Sequence, residues 1–263
     1  MTAIEGTVLL TGASGGIGHA IARALAARGA KLVLTGRRAD VLEPLAVELG
    51  ARALVLDLAD RDAVARLVAE AGEVDILIAN AALPASGTLD DYTDEQVDRA
   101  LDVNLRAPIM LAKLLSEPMA RRGRGHLVFI SSLSGKSAQG GGALYSATKF
   151  GLRGFALSLR EDLRPAGVGV STVFPGFIRD AGMFARSGVQ LPRGVGTRSP
   201  ADVAAAVVRA IERDRAEIDV APLGVRIGAA ISGLAPALSM AVSRRMGAAR
   251  IADGLTASGR EHR

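Results

Sequence analysis

Short apolar runs recur along this chain, and a helix-length stretch separates most of them. The runs are Thr7–Thr11, Lys31–Thr35, Ala53–Leu56, Val74–Ile78, His126–Ile130 and Gly169–Phe174. Uninterrupted apolar runs of this length read as strands buried on both faces. Helical patterns lie between them, at about 16–28, 40–50, 61–72, 93–122 and 145–164. The alternation continues through six strands without an internal repeat or a Pro/Ser linker. It predicts an α/β fold with a doubly wound parallel sheet. In such sheets ligands bind beyond the carboxyl ends of the strands. The residues at those ends are therefore the candidates for function.

Composition narrows the chemistry. Hydrophobic residues make up 49% of the chain and aromatic ones 3%, so the core must be built mainly of Ala, Val, Leu and Ile. The absence of Cys removes disulfides, thiol catalysis and cysteine-bound zinc together. His19, His126 and His262 are scattered without metal-ligand spacing, so no metal site is expected. A net charge of +5 suits anionic ligands. No basic helix interleaved with aromatics points to nucleic acid. The N-terminus has no basic segment ahead of a long apolar run, so no signal peptide is read and a cytoplasmic location is expected.

The first strand runs into Gly12-Ala13-Ser14-Gly15-Gly16-Ile17-Gly18 and then into an alanine-rich helix. Strand, glycine loop and helix form the context of a dinucleotide site. The glycines let backbone N–H groups approach a pyrophosphate, and the helix N-terminus adds partial positive charge. The second strand is followed by Gly36-Arg37-Arg38, where an NAD site would carry an acid for the ribose hydroxyls. The Arg37 guanidinium instead suits a 2′-phosphate, which predicts NADP(H) in preference to NAD(H). Asp57-Leu58 ends the third strand, and its carboxylate either accepts from an adenine amino group or caps the following helix. Ala79-Asn80-Ala81-Ala82 ends the fourth with small residues that leave room for a ligand. Asn80 either meets that ligand or ties neighbouring loops. In the 93–122 helix, Pro108 has no N–H for the Asn104 carbonyl, which leaves that carbonyl free for water.

Tyr145 and Lys149 stand four residues apart, one helical turn on a single face. A nearby ammonium favours the phenolate and is expected to lower the tyrosine pKa from about 10. Tyrosine then serves as a proton donor or acceptor. Ser132, at the end of the fifth strand, can hydrogen-bond a substrate oxygen beside the phenol. Gly140-Gly141-Gly142 precedes them as a mobile lip.

Jointly, the Gly12/Gly16/Gly18 loop, Asp57, Asn80-Ala81, Asn104, Ser132, Tyr145/Lys149 and Pro175-Gly176 resemble the short-chain dehydrogenase/reductase family, from about Thr7 to Asp219. The resemblance implies a Rossmann-like fold with Tyr145 as general acid/base and Ser132 positioning the carbonyl. Lys149 would hold the nicotinamide ribose, and Asn104 the water of a proton relay. It extends the cofactor contacts to Pro175, Gly176 and Ile178. The implied reaction interconverts a ketone or aldehyde with an alcohol. The alternatives are a 3-oxoacyl-carrier-protein reductase and a non-catalytic NADP(H) sensor. A homodimer is expected, a tetramer less so. The family's Asn-Asn-Ala-Gly reads Ala79-Asn80-Ala81-Ala82 here, and Asp180 stands where a carboxamide-binding Thr is usual.

Residues 1–220 are expected to form the catalytic domain, with a substrate lid over 177–200. Met183, Phe184, Val189 and Leu191 in that lid suggest a substrate with a hydrophobic body. Residues 221–263 form a helical extension. Its stretch from Ile227 to Val242 is uncharged, between Arg226 and Arg244-Arg245. It is shorter than the roughly 20 residues that cross a membrane. Three uses are open to it: covering the substrate mouth, contacting another subunit, or attaching peripherally to a membrane.

Overall fold

The computed structural model describes residues 4–189, 191, 195–237 and 241. Its sheet holds β1 (Thr7–Thr11), β2 (Lys31–Gly36), β3 (Arg52–Val55), β4 (Ile76–Ala79), β5 (Gly125–Ile130), β6 (Val168–Pro175) and β7 (Glu217–Val220). All pair in parallel, in the order β3-β2-β1-β4-β5-β6-β7. β1 pairs on one side with β2, through Val8 and Leu32, and on the other with β4, through Val8 and Ile76. The strand order reverses there, which opens a crevice at the carboxyl ends of β1 and β4.

Strand geometry explains why the runs are apolar throughout. Successive side chains point to opposite faces, so Val8 and Leu10 enter one layer and Leu9 the other. The first layer is covered by α1 (Gly16–Ala26), α2 (Ala39–Leu49) and α8 (Pro200–Glu212), through Ile21, Leu25, Leu42, Leu45, Val203 and Val207. The second is covered by α3 (Arg61–Ala71), α5 (Ala107–Arg122) and α6 (Ala143–Leu163), through Val64, Leu67, Leu111, Leu115 and Leu152. With both faces buried, a polar residue on the central strands needs a partner inside the sheet layers, as His126 of β5 and Ser171 of β6 supply to each other at 2.8 Å.

The predicted helix over 93–122 is divided. Thr93 and Gln96 cap α4 (Asp94–Leu101) reciprocally, and a π-helical turn over Asp102–Arg106 joins it to α5. Pro108 lies just past that turn, where its missing N–H interrupts the regular ladder. The fourth strand starts at Ile76 rather than Val74. Ahead of it, the Asp75 carboxylate accepts from the Thr7 N–H at 2.9 Å. Asp57 does not cap α3. Asp60 does, accepting from the Asp62 N–H at 2.9 Å, because it is the residue immediately before the first helical turn. The short α7 (Gly182–Ser187) lies in the predicted lid, and α9 (Leu223–Leu234) follows β7. Most of the uncharged tail beyond Ala237 lies outside the described residues.

Candidate active site

Two cavities occupy the carboxyl ends of the strands. The larger, ≈ 490 Å³, is lined by Gly12, Ser14, Gly15, Gly16, Ile17 and Gly18, and by Arg37, Asp57, Leu58 and Ala81 from the next loops. The smaller, ≈ 200 Å³, is lined by Ser132, Tyr145, Lys149, Pro175, Gly176 and Ile178. Ile17, Asn80, Ala82, Gly182 and Met183 line both, so the cavities adjoin.

The glycine loop is shaped for close approach. Gly12 has φ +66°, and a Cβ there would stand 2.7 Å from the Ala81 Cα. A Cβ on Gly18 would strike the Gly12 carbonyl oxygen, so neither position accepts a side chain. Gly15 caps α1 without a side chain, and the first turn carries no acid. The amino end of α1 therefore keeps its N–H groups and positive dipole for an anion. A pyrophosphate fits this cradle. Asn80 takes the tying role left open by the sequence. Its side-chain nitrogen donates to the Thr11 and Gly12 carbonyls at 3.1 and 3.2 Å. The Thr11 hydroxyl accepts from the Asn80 and Ala81 N–H groups, both at 3.0 Å.

Charge at the outer end of this cavity comes from the loops after β2 and β3 and from α4. Arg37 Nη1 lies 3.9 Å from Asp57 Oδ2 and is half exposed. Arg38 donates to the Ser14 carbonyl, which holds β2's end against the glycine loop. Asp57 accepts from the Ala59 N–H at 3.0 Å and from Arg99 Nη2 at 2.6 Å. Burial pushes its carboxyl up, but those hydrogen bonds and the Arg99 and Arg37 charges outweigh it and hold it below the usual carboxylate range. Both Asp57 oxygens are thus engaged by the protein. The sequence reading missed Arg99. It lies 42 residues from Asp57 and carries no local signal.

Asn104 is buried outside both cavities. Its side chain clasps one residue: Oδ1 accepts from the Leu83 N–H at 2.7 Å, and Nδ2 donates to the Leu83 carbonyl at 3.0 Å. Leu83 lines the larger cavity, so the clasp fixes that wall. The fixed wall was not legible, since nothing local pairs Asn104 with Leu83.

At the inner end, Ser132 follows β5 and accepts from the Ser134 N–H at 3.1 Å. Its side chain and the Tyr145 phenol line the same cavity. Lys149 is fully buried, and its Nζ donates to the Ile130 carbonyl at 3.1 Å. The Ser131 hydroxyl donates to the Lys149 carbonyl at 3.1 Å, which pins α6 to the end of β5. The expected lowering of the tyrosine pKa is not what this arrangement produces. Burial pushes the phenol up to about 12, with the Ser132 side chain acting the other way. The Lys149 ammonium sits 5.5 Å from the Tyr145 ring centroid rather than being bonded to the phenol oxygen. Burial penalises that ammonium too, and its pKa is lowered to about 8. The phenol is therefore a protonated donor at neutral pH, beside a second hydroxyl that can reach the same acceptor.

The surroundings are mainly apolar. Ile130, Phe177, Ile178, Met183 and Phe184 line the small cavity. Val189 and Leu191 of the predicted lid do not, and residues 190 and 192–194 lie outside the described structure. The glycine lip is tied: the Gly141 carbonyl accepts from the Gly87 N–H at 2.7 Å. Asp180 is exposed, has φ +67° and pairs with Arg179 at 3.4 Å. Among the described residues no part of α9 lines this cavity, and the end of the stretch expected over the substrate mouth lies outside the described residues.

A parallel α/β sheet with a glycine cradle and a Ser–Tyr–Lys cluster at its switch point defines a nucleotide-dependent oxidoreductase. The chain belongs to the short-chain dehydrogenase family, whose model, described as short chain dehydrogenase, matches residues 6–190. It is 37% identical to the ketoacyl reductase HetN of Nostoc sp. over 230 residues, 84% of this chain and 80% of that protein. A short-chain dehydrogenase from Sphingobium yanoikuyae, solved in complex with NADPH, superposes with a TM-score of 0.75 at 31% identity. That match covers 82% of this chain and 87% of the other. A short-chain dehydrogenase from Streptomyces avermitilis superposes with a TM-score of 0.76 at 26% identity, covering 94% and 98% of the two chains. The chain is thus an NAD(P)-dependent oxidoreductase acting on small carbonyl or alcohol substrates. Among the described residues no helix is long and apolar enough to cross a membrane.

Proposed function

We propose that this protein is an NADP(H)-dependent carbonyl reductase, interconverting a hydrophobic ketone or aldehyde with its alcohol, with Tyr145 as the general acid/base. The observation that carries the reading is the presence of Ser132, Tyr145 and Lys149 together on the wall of a mainly apolar cavity that adjoins the glycine cradle. The cradle from Gly12 to Gly18 would hold the pyrophosphate, Arg37 the 2′-phosphate, and Lys149 the ribose hydroxyls beside the nicotinamide. The bound nicotinamide supplies or accepts the hydride. Ser132 and Tyr145 both donate to the substrate carbonyl oxygen and orient it. During reduction the phenolic proton moves to that oxygen, and the phenolate left behind is favoured by the Lys149 ammonium. The apolar wall excludes water and strengthens these hydrogen bonds.

NADPH consumption measured with a panel of aryl ketones, aliphatic ketones and β-ketoacyl thioesters tests this reading. Turnover of simple ketones is expected. The likeness to a ketoacyl reductase supports a second reading, which predicts a much higher kcat/KM for the thioesters. NADPH binding without turnover of any of them would sink both readings and leave a sensor.

Cofactor preference follows from Arg37. A charge-assisted hydrogen bond contributes about 1.5–3 kcal/mol. Because Arg37 is half exposed, the lower end applies. Arg37→Ala is expected to weaken NADPH about tenfold and NADH hardly at all, as read by fluorescence titration. Equal affinities for the two cofactors in the unaltered protein would overturn the assignment.

A further inference from the structure

The outer face of α9 is apolar and uncovered. Leu223, Ile227, Ile231 and Leu234 are 67%, 52%, 48% and 89% exposed, and their spacing puts them on one stripe. The opposite face is packed: Val225 and Ala229 lie against Leu133, Phe174 and Ala221, and the Ser137 and Ser232 hydroxyls bond at 2.9 Å. The stripe therefore cannot turn inward.

A basic cavity lies beside it. A space of ≈ 390 Å³ at the β7 edge is lined by Lys136, Arg209, Arg213, Arg215 and Arg226, with Glu217 and Asp219. The two acids are already matched. Lys136 lies 2.9 Å from Glu217 and 2.7 Å from Asp219, and Arg153 lies 2.6 Å from Glu217. None of the four arginines has a carboxylate within ion-pair distance among the described residues. Arg226 belongs to both features, since it flanks the stripe roughly 60° round the helix from Leu223.

We infer that this face docks on an anionic lipid bilayer, with the α9 stripe entering the acyl boundary and the four arginines meeting lipid phosphates. An apolar helix face flanked by unpaired cations is the pattern of an interfacial helix. Charge complementarity selects the occupant. A second copy on the same face would bring the same four arginines and no unmatched acid from the cavity lining, adding like charge without neutralising it. A bilayer of anionic lipid neutralises them and covers the stripe together.

Co-sedimentation of the full chain with vesicles tests this. Vesicles of phosphatidylcholine with phosphatidylserine are expected to bind the protein at low salt, and phosphatidylcholine alone to bind it weakly. Arg209→Ala and Arg213→Ala should each weaken binding about fivefold. Ile227→Ser with Ile231→Ser should weaken it at least about tenfold, with NADPH binding kept as the sign of an intact fold. These positions are exposed, so folding is expected to survive. Equal binding by the unaltered and substituted chains would overturn the inference. So would no vesicle binding together with a light-scattering mass that falls on Ile227→Ser, which indicates a second copy. Titration by inorganic phosphate without vesicle binding would reduce the cavity to a free-anion site and overturn it as well. Capture by an acidic protein with vesicles ignored would do the same.

Discussion

Tyr145→Phe is expected to lower kcat for ketone reduction by about 10²–10⁴-fold while NADPH binding is kept. The substitution keeps the ring, which packs with Ala85, Ala100 and Leu144, and removes only the hydroxyl. The pH profile should carry a distinct signature. Because burial holds the phenol near 12, the tyrosine stays protonated across the working range. The group that titrates within that range is Lys149, at about 8. It is charged below that pH and neutral above it. Reduction should therefore hold up below about 8 and decline as the ammonium, which favours the phenolate, is lost. A folded, NADPH-bound Tyr145→Phe enzyme that reduced a good ketone at the unaltered rate would remove Tyr145 from the chemistry. A profile flat from pH 7 to about 10 would remove Lys149 from that role.

Lys149→Met should abolish turnover and yet stabilise the fold. The amine titrates near 8 in the fold against 10.5 ordinarily, so below pH 8 the charged side chain costs the native state roughly 3 kcal/mol. Its bond to the Ile130 carbonyl offsets about 1–2 kcal/mol of this, and Met forfeits that bond. The net expectation is a gain of about 1–2 kcal/mol at pH 7, a rise in Tm of a few degrees for a chain this size. Between about 8 and 10.5 the unfolded chain binds more protons at this group, so the unaltered protein gains stability as pH rises through that window. The variant's advantage should shrink accordingly by pH 10. Thermal unfolding followed at both pH values decides it. An unchanged or lower Tm at pH 7 would mean the buried ammonium stabilises the fold, and that the site carries no strain at Lys149. Functional groups held at a cost to stability are the usual trade in active sites.

Much of the framework was legible because its causes are local. Uninterrupted apolar runs arise when both faces of a parallel strand are covered, and all six predicted strands are present. The glycine loop was legible for a similar reason. Gly18 is excluded from a side chain by the loop's own Gly12 and Ala13, and Gly12 takes a φ of +66° that favours glycine. The Tyr145–Lys149 spacing is one helical turn, and the helix is there. Boundaries moved where a side chain outside the pattern intervened, as at Asp60 and the π turn before Pro108.

What sequence could not reach depends on distance through the chain and on burial. The spacing of Tyr145 and Lys149 predicts a charge pair, but spacing carries no depth. Depth makes desolvation the larger effect, so the phenol goes up and the ammonium comes down. Asp57 had two open roles; the cap went to Asp60, and the Asp57 carboxylate lines the larger cavity. The folded chain brings Arg99 to it across 42 residues. Asn104 looked like a residue noted for its backbone carbonyl, whereas its side chain holds Leu83. Likewise the apolar tail allowed three uses on paper. The packing of Val225 and Ala229 decided which face of α9 is covered and which is left to solvent. Residue types and their periodicity dictate which elements form and which chemistry is on hand. Protonation, ion pairing and exposed faces are set by neighbours that only folding brings within a few ångströms.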